Sequence, residues 1–370
     1  MSKPHKIVIC GGGVIGACIA YYLSRNDADH NLEITVVERT GVANASSGKS
    51  GGFLALDWCQ GTVVAPLARR SFALHAELAA TLGAGLNLEW GYRPIDTLSV
   101  MASEQRDVSN HARMPSPSWL GESTAVHSRI GTTQTTAQID PAAFTQSMMA
   151  AARTYGVQLR TGAVEGVIKS SDGKRITGVT VDGERLDADS VVIAMGPWSI
   201  LACKWLMLPP VYGLKGHSVI FDYKPADPYA LFLELETANG DVATPEVVPR
   251  LDGTTYLCSV RGHDPLPMDP ADVALEAGAT ERLRTMAAAF SPELAAAEIV
   301  AEQVCYRPIT NDGVPMIGRV PNVDGAYVAT GHSVWGMLNG PATGEAMAEL
   351  IVDGATSKVA LEEFDPRRLL

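Results

Sequence analysis

Lys6-Ile7-Val8-Ile9-Cys10-Gly11-Gly12-Gly13-Val14-Ile15-Gly16 is the stretch on which the fold turns. Its first five residues are a short β-branched apolar run, the signature of a strand buried on both faces of a parallel sheet. Glycines spaced Gly11-x-Gly13-x-x-Gly16 follow at once. Gly11 permits a tight turn, Gly13 lets a pyrophosphate approach the backbone, and Gly16 allows a helix to sit close on the sheet. That helix is predicted over residues 14–24, with its N-terminus facing the phosphates. A second apolar strand, residues 33–37, ends at Glu38, where a carboxylate can accept hydrogen bonds from a ribose that carries no 2′-phosphate. Together these parts predict an α/β chain with a Rossmann-like dinucleotide-binding domain, and at this point NAD and FAD both remain open.

The chain has 370 residues, enough for two joined domains. Hydrophobic residues make up 46% and charged residues 19%, values that argue for a globular fold and against disorder. The formal net charge of −12 repels phosphate backbones and anionic membranes, so no nucleic-acid partner is expected. Six scattered cysteines lack zinc or redox spacing, which points to free thiols in a reduced, cytoplasmic setting. No apolar run is long enough to span a bilayer, and since the first motif begins at Lys6, no removable leader is expected. The minimal motifs of zinc hydrolases and serine esterases are missing, and no metal is expected.

Past Glu38 comes the small-residue loop Ala45-Ser46-Ser47-Gly48-Lys49-Ser50-Gly51-Gly52-Phe53. Residues 305–318 read Cys-Tyr-Arg-Pro-Ile-Thr-Asn-Asp-Gly-Val-Pro-Met-Ile-Gly, and residues 329–350 combine a strand, a glycine loop and a helix. In these three segments the chain resembles the D-amino-acid oxidase superfamily of FAD enzymes, which includes glycine and sarcosine oxidases. The stretch from Trp335 to Gly344 is most similar to a little-characterised fungal and plant branch, one yeast member of which is linked to endosomal trafficking. The resemblance implies a Rossmann-like FAD-binding domain of the glutathione-reductase type and a second, mainly antiparallel-sheet substrate domain. It also implies that FAD is held by Gly11, Gly13, Val14, Ile15, Gly16, Glu38 and Arg39, with Ser47, Gly48, Lys49, Gly51 and Gly52 beneath the flavin. Val164 falls at the adenine, Gly196 and Trp198 near the pyrophosphate or ribityl chain, and Gly331, Gly336, Met337 and Leu338 at the flavin pyrimidine. A helix starting near Met337 would aim its free amides and positive dipole end at the flavin N1 and C2 carbonyl.

Elsewhere, Asp140 and Pro141 are an N-cap and a first helical residue, predicting a helix through about residue 155. Runs at 156–159, 166–168 and 178–181 read as strands, with turns at Asp172-Gly173 and Asp182-Gly183. Another buried strand begins at Ser190 and ends in Gly196. Residues 1–89, 138–210 and 301–370 are therefore expected to form the FAD-binding domain, and 90–137 and 211–300 the substrate domain roofing the flavin.

The resemblance implies oxidation of the C–N bond of an amino acid or N-substituted amine to an imine, with O2 as acceptor giving H2O2. A dehydrogenase using another acceptor, a flavoprotein acting mainly in trafficking or regulation, and an NAD-dependent dehydrogenase are the alternatives. Arg307 is the expected substrate residue, since a planar guanidinium can fork a carboxylate; a salt bridge supporting the turn at Pro308 is the competing role. Related amino-acid oxidases often carry a second arginine where this chain has Val334, which weakens the case for a small free amino acid. Trp335 offers an apolar wall or a cation-π face, unless it is core. His332 and His217 can hydrogen-bond the flavin or serve as structural histidines, and Lys49 and Lys215 are candidates for favouring charge during oxygen reduction.

Overall fold

The computed structural model describes residues 3–25 and 31–370. Strand His5–Cys10 runs through the middle of a six-stranded sheet, flanked in parallel by Leu32–Glu38 and Ser190–Ile193. Gln158–Thr161 and Ala326–Thr330 extend the parallel set, and Met316–Arg319 closes one edge antiparallel. Alternation along the central strand explains its two apolar faces. Ile7 and Ile9 join a core with the helices, whereas Val8 and Cys10 join one beneath a three-stranded meander, Val164–Lys169, Ile176–Val181 and Glu184–Asp187.

Helix Val14–Arg25 is nearly all small or apolar and is buried along most of its length. It packs against helices Pro141–Thr154 and Gly336–Val352, and the long helix Ala65–Leu86 supports the last of these. The approach is close because glycines face it: a Cβ on Gly344 would lie 2.6 Å from the backbone of Cys18, and one on Gly340 would lie 2.9 Å from Val14. Asp140 caps Pro141–Thr154 as expected, its carboxylate accepting from the Ala143 amide at 2.7 Å.

A larger, mainly antiparallel sheet forms the other half. Its order is Ile299–Ile309, Tyr212–Phe221, Thr255–Arg261, Glu246–Pro249, Ala230–Glu236, Thr97–Ser103 and Ala125–Gly131, with Val242–Ala243 beside the fifth strand. Val219, Phe221, Leu231, Leu233, Val247 and Leu257 turn to one face and bury against helix Ala279–Phe290. Their alternates face the first half of the molecule. The boundary expected at residue 300 falls inside strand Ile299–Ile309, which pairs along its length with Tyr212–Phe221. Arg307 and Pro308 belong to this long strand, hydrogen-bonded into the larger sheet. A small sheet of Phe53–Ala55, Thr136–Gln138 and Arg93–Pro94 ties the halves together. Among the described residues, no helix is long and apolar enough to cross a membrane.

Candidate active site

A cleft of about 420 Å³ lies between the glycine turn and the inner face of the larger sheet. At one end Gly11 has φ +112°, and a Cβ there would meet the Ala194 carbonyl at 2.4 Å, so only glycine fits. The loop expected beneath the flavin is fastened to this turn, the Val14 amide donating to Ser47 Oγ at 2.9 Å. The Gly12 amide donates to Glu38 Oε2 at 2.7 Å and the Thr40 amide to Oε1 at 2.9 Å. Oε1 also accepts from Thr40 Oγ1 at 3.2 Å and the Gly41 amide at 3.3 Å, so the carboxylate is fixed at the strand end and Oε2 keeps a lone pair for a ribose hydroxyl.

Gly13, Ile15, Arg39, Lys49, Gly51, Gly52, Val164, Gly196 and Trp198 also line the cleft. The Trp198 indole N–H donates to the Pro267 carbonyl at 2.8 Å, and Arg39 pairs with Asp269 at 2.5 Å, so the loop carrying Met268 and Pro270 closes over this end. Four of the expected cofactor residues, Gly16, Gly48, Gly331 and Leu338, stand behind the wall. Gly16 and Gly48 are close-packing positions, where a Cβ would come within 2.0 and 2.1 Å of the carbonyls of Gly11 and Ala43. Gly331 turns against Thr310, and Leu338 is core.

The helix Gly336–Val352 starts one residue before Met337, preceded by a tight turn at Ser333–Trp335. Its first residues line the cleft, so unpaired N-terminal amides and the positive end of its dipole face the cavity. Pro341 sits in its second turn and has no N–H to give the Met337 carbonyl. His75, on the supporting helix, supplies the missing donor, its Nε2 lying 3.0 Å from the Met337 oxygen and 3.2 Å from that of Leu338. One turn earlier, Ser71 Oγ accepts from the Ala342 amide at 3.0 Å. Burial lowers the His75 pKa to about 4, so the ring is neutral. Nothing in the local sequence of the long helix marks Ser71 or His75; the available signal was the proline inside the final helix.

The residues fit FAD. The glycine turn, the fixed Glu38 carboxylate and the helix N-terminus would hold its pyrophosphate, ribose and pyrimidine ends. Ser50 Oγ, buried on the cleft wall without a hydrogen-bond partner, is a polar atom awaiting one. Its loop is steadied from behind, where Arg250 donates to the Ser50 carbonyl at 3.1 Å and lies over the Tyr256 ring.

The opposite wall is the inner face of the larger sheet. Arg307 lies on it and forms no ion pair among the described residues, which sets aside the salt-bridge role. Its guanidinium reaches across the neighbouring strand above Gly216, with Nη2 3.2 Å from where a Cβ on that glycine would be. Glu246, which no sequence signal singled out, is half-buried on the same face. Its Oε2 is 3.8 Å from Cys258 Sγ, and burial raises its pKa against the pull of Arg307 and Cys258. Trp335 stands with Trp58, Phe53 and Phe232 as an aromatic wall: the Trp58 ring centre is 4.6 Å from Phe232 and 6.4 Å from Trp335.

His332 borders the cleft, but its Nε2 is 3.1 Å from Thr343 Oγ1, and burial drives its pKa down to about 3. These contacts make it a neutral prop for the glycine loop. His217 Nε2 accepts from the Glu276 amide at 3.1 Å, so this ring too is engaged by the protein. Lys49 reaches the Val304 carbonyl at 3.2 Å from the cleft wall. Lys215 stands apart from the lining, paired to Asp264 at 2.5 Å and Glu276 at 3.4 Å.

The family model described as DAO, FAD dependent oxidoreductase, matches residues 6–350. A Schizosaccharomyces pombe protein named as an oxidoreductase is 30% identical over 388 aligned residues, covering 99% of both chains. A glycine oxidase of Pseudomonas aeruginosa is 28% identical over 94% of each chain. The crystal structure of glycine oxidase from Geobacillus kaustophilus shares the fold, with a TM-score of 0.78 at 24% identity over 99% of this chain and 100% of that one.

Proposed function

This chain belongs to the DAO family of FAD dependent oxidoreductases, and we propose that it oxidises the C–N bond of an amino acid or N-substituted amino acid, with O2 as the final acceptor. The observation that carries the reading is Arg307. A guanidinium on a cleft wall with no carboxylate partner is a stable arrangement when a ligand supplies one, and its planar fork matches a substrate carboxylate.

In the reaction the substrate carbon loses a hydride and its nitrogen a proton, giving an imine that water hydrolyses to a carbonyl and an amine. Bound FAD supplies the two-electron acceptor, and O2 is then reduced to H2O2. The chain's own contribution is position and exclusion of water. Arg307 fixes the carboxylate end, and the aromatic wall of Trp58, Phe232 and Trp335 shields the reacting carbon. The unpaired amides at Gly336 and Met337 stabilise negative charge at the far side of the cavity. Lys49, on the same wall as the loop beneath the flavin site, is the cation we assign to oxygen reduction. Residues 90–137 and 211–300, together with the strand that carries Arg307, form the sheet that roofs the cavity in this reading. All six cysteines are free, which supports a reducing, cytoplasmic setting.

Anaerobic titration of the purified yellow protein with amines and amino acids tests the reading. Bleaching of the flavin band by an amino acid, followed by peroxide formation on admitting air, is the expected result. A protein that no amine or amino acid bleaches would sink it.

A further inference from the structure

The sheet wall carries an acid that this reading has not used. Glu246 and Arg307 stand on one face of one sheet, separated by strands Thr255–Arg261 and Tyr212–Phe221. Three strand spacings separate them across the sheet, and the register from Glu246 through Cys258 and Ser218 reaches Gln303, four residues along the strand from Arg307, so their backbones are roughly 20 Å apart. Both side chains shorten the gap, Arg307 by lying over Gly216 and Glu246 by leaning to Cys258. No ion pair closes between them. Burial raises the Glu246 pKa, and the Arg307 charge nevertheless pulls it down across the gap, so the two heads flank one space in the cleft, where a small zwitterion can hydrogen-bond at each end.

We propose that Glu246 is the second half of a clamp for an amino-acid zwitterion: it holds the substrate ammonium while Arg307 holds the carboxylate, and it takes the proton that must leave the nitrogen before oxidation. This rests on the amine-oxidising function proposed above. In the step, R–CH(NH3⁺)–COO⁻ and the Glu246 carboxylate become R–CH(NH2)–COO⁻ and the Glu246 carboxylic acid. One N–H bond breaks, one O–H bond forms, and no electrons move. The oxidation that follows delivers its electrons to FAD.

Three observations support the assignment. One cation and one anion leave the empty clamp neutral, so a net-neutral ligand fits it. A simple carboxylate would be repelled by Glu246, and a simple amine would leave Arg307 unpaired, which gives selection against both. Phe232 is the register partner of Glu246 and touches Trp58, so the ammonium end lies beside aromatic faces that favour a cation and an apolar side chain. The groups facing Glu246 are Arg307 from one strand and Tyr256 and Cys258 from another, with Cys305 standing beyond Tyr256 and Cys258. Burial raises the pKa of both thiols and of the phenol, which stay protonated, so the carboxylate is the base among them.

Calorimetric binding to the FAD-loaded protein tests the clamp, with α-aminoisobutyrate and isobutyrate as probes. They differ by the amine, and the first has no α-hydrogen to lose, so binding is read without turnover. The wild type should prefer the amino acid by at least about tenfold, and E246Q should abolish that preference without weakening isobutyrate. E246D, which keeps the charge, should retain part of it. If E246Q does not hold FAD, E246M, apolar and of similar length, goes through the same titration. A preference unchanged in the neutral variant, or a wild type that favours isobutyrate, overturns the clamp while leaving amine oxidation standing where amines still bleach the flavin. A wild type that binds neither probe and is bleached by no amine removes the underlying function and the clamp with it.

Discussion

Arg307 owes its position to a neighbour that is not there. Gly216, on the adjacent strand, leaves the space over which the guanidinium lies; a Cβ there would stand 3.2 Å from Nη2, and a larger side chain would crowd it. Truncating Arg307 to Ala leaves the carboxylate of a bound substrate without its partner. Loss of a charge-assisted, desolvated pair of this kind costs about 2–5 kcal/mol, or roughly 30- to 5,000-fold in kcat/KM. The expected outcome for R307A is a loss in that range with FAD content unchanged. R307K, a point charge without the planar fork, should fall between R307A and the wild type. Steady-state peroxide assays on a substrate found by anaerobic bleaching measure both variants, and full activity in R307A would remove the arginine from the site. G216V should resemble R307K, because a branched side chain there displaces the same guanidinium.

At the scale of elements, the helix that faces the flavin site is mended from outside. Pro341 removes a helix hydrogen bond, and His75 restores it from the long helix behind. H75A should therefore cost about 1–3 kcal/mol for the orphaned carbonyl, beyond the loss of packing. P341A returns an N–H to that place, so the two changes should couple. In a double-mutant cycle read by urea unfolding, H75A should cost about 1 kcal/mol or more less in the P341A background. Strict additivity would show that the histidine does not stand in for the missing amide. The same helix meets Val14–Arg25 through Gly344, where a Cβ would lie 2.6 Å from the Cys18 backbone. G344V should destabilise by about 1–3 kcal/mol through overpacking. Because the displaced helix begins at Val14, beside the glycine turn, the variant should also release FAD more readily, seen as free-flavin fluorescence on dilution. A variant as stable and as tightly flavinated as the wild type would contradict this account of the helix contact.

Over the whole molecule, the parts legible in the sequence were those whose chemistry is local. The glycine turn, the acid at the strand end and the Asp140 cap each declare themselves within a few residues and stand where their spacing implied, whereas the loop from Ala45 to Phe53 was readable only through the family resemblance. Glu246, Phe232 and Tyr256 were not legible, because each becomes a wall of the cleft only through alternation on strands brought together across long stretches of chain. His332 was legible as a neighbour of the cleft but not as a ring already occupied by Thr343. Its burial and that of His75 have a consequence for the entire fold. Both folded-state pKa values, about 3 and about 4, lie below the ordinary histidine value of 6.5. Between pH 6.5 and about 4 the unfolded chain therefore binds protons that the folded chain refuses, and stability rises with pH across that window. The contribution is complete above pH 6.5 and is lost on acidification, by about 2 kcal/mol per histidine at pH 5. Urea midpoints measured from pH 7.5 down to pH 4.5 should fall accordingly, and H75Q, which cannot take up the proton, should show a shallower decline by about half. A midpoint insensitive to pH in this range would mean that neither ring is held neutral by the fold.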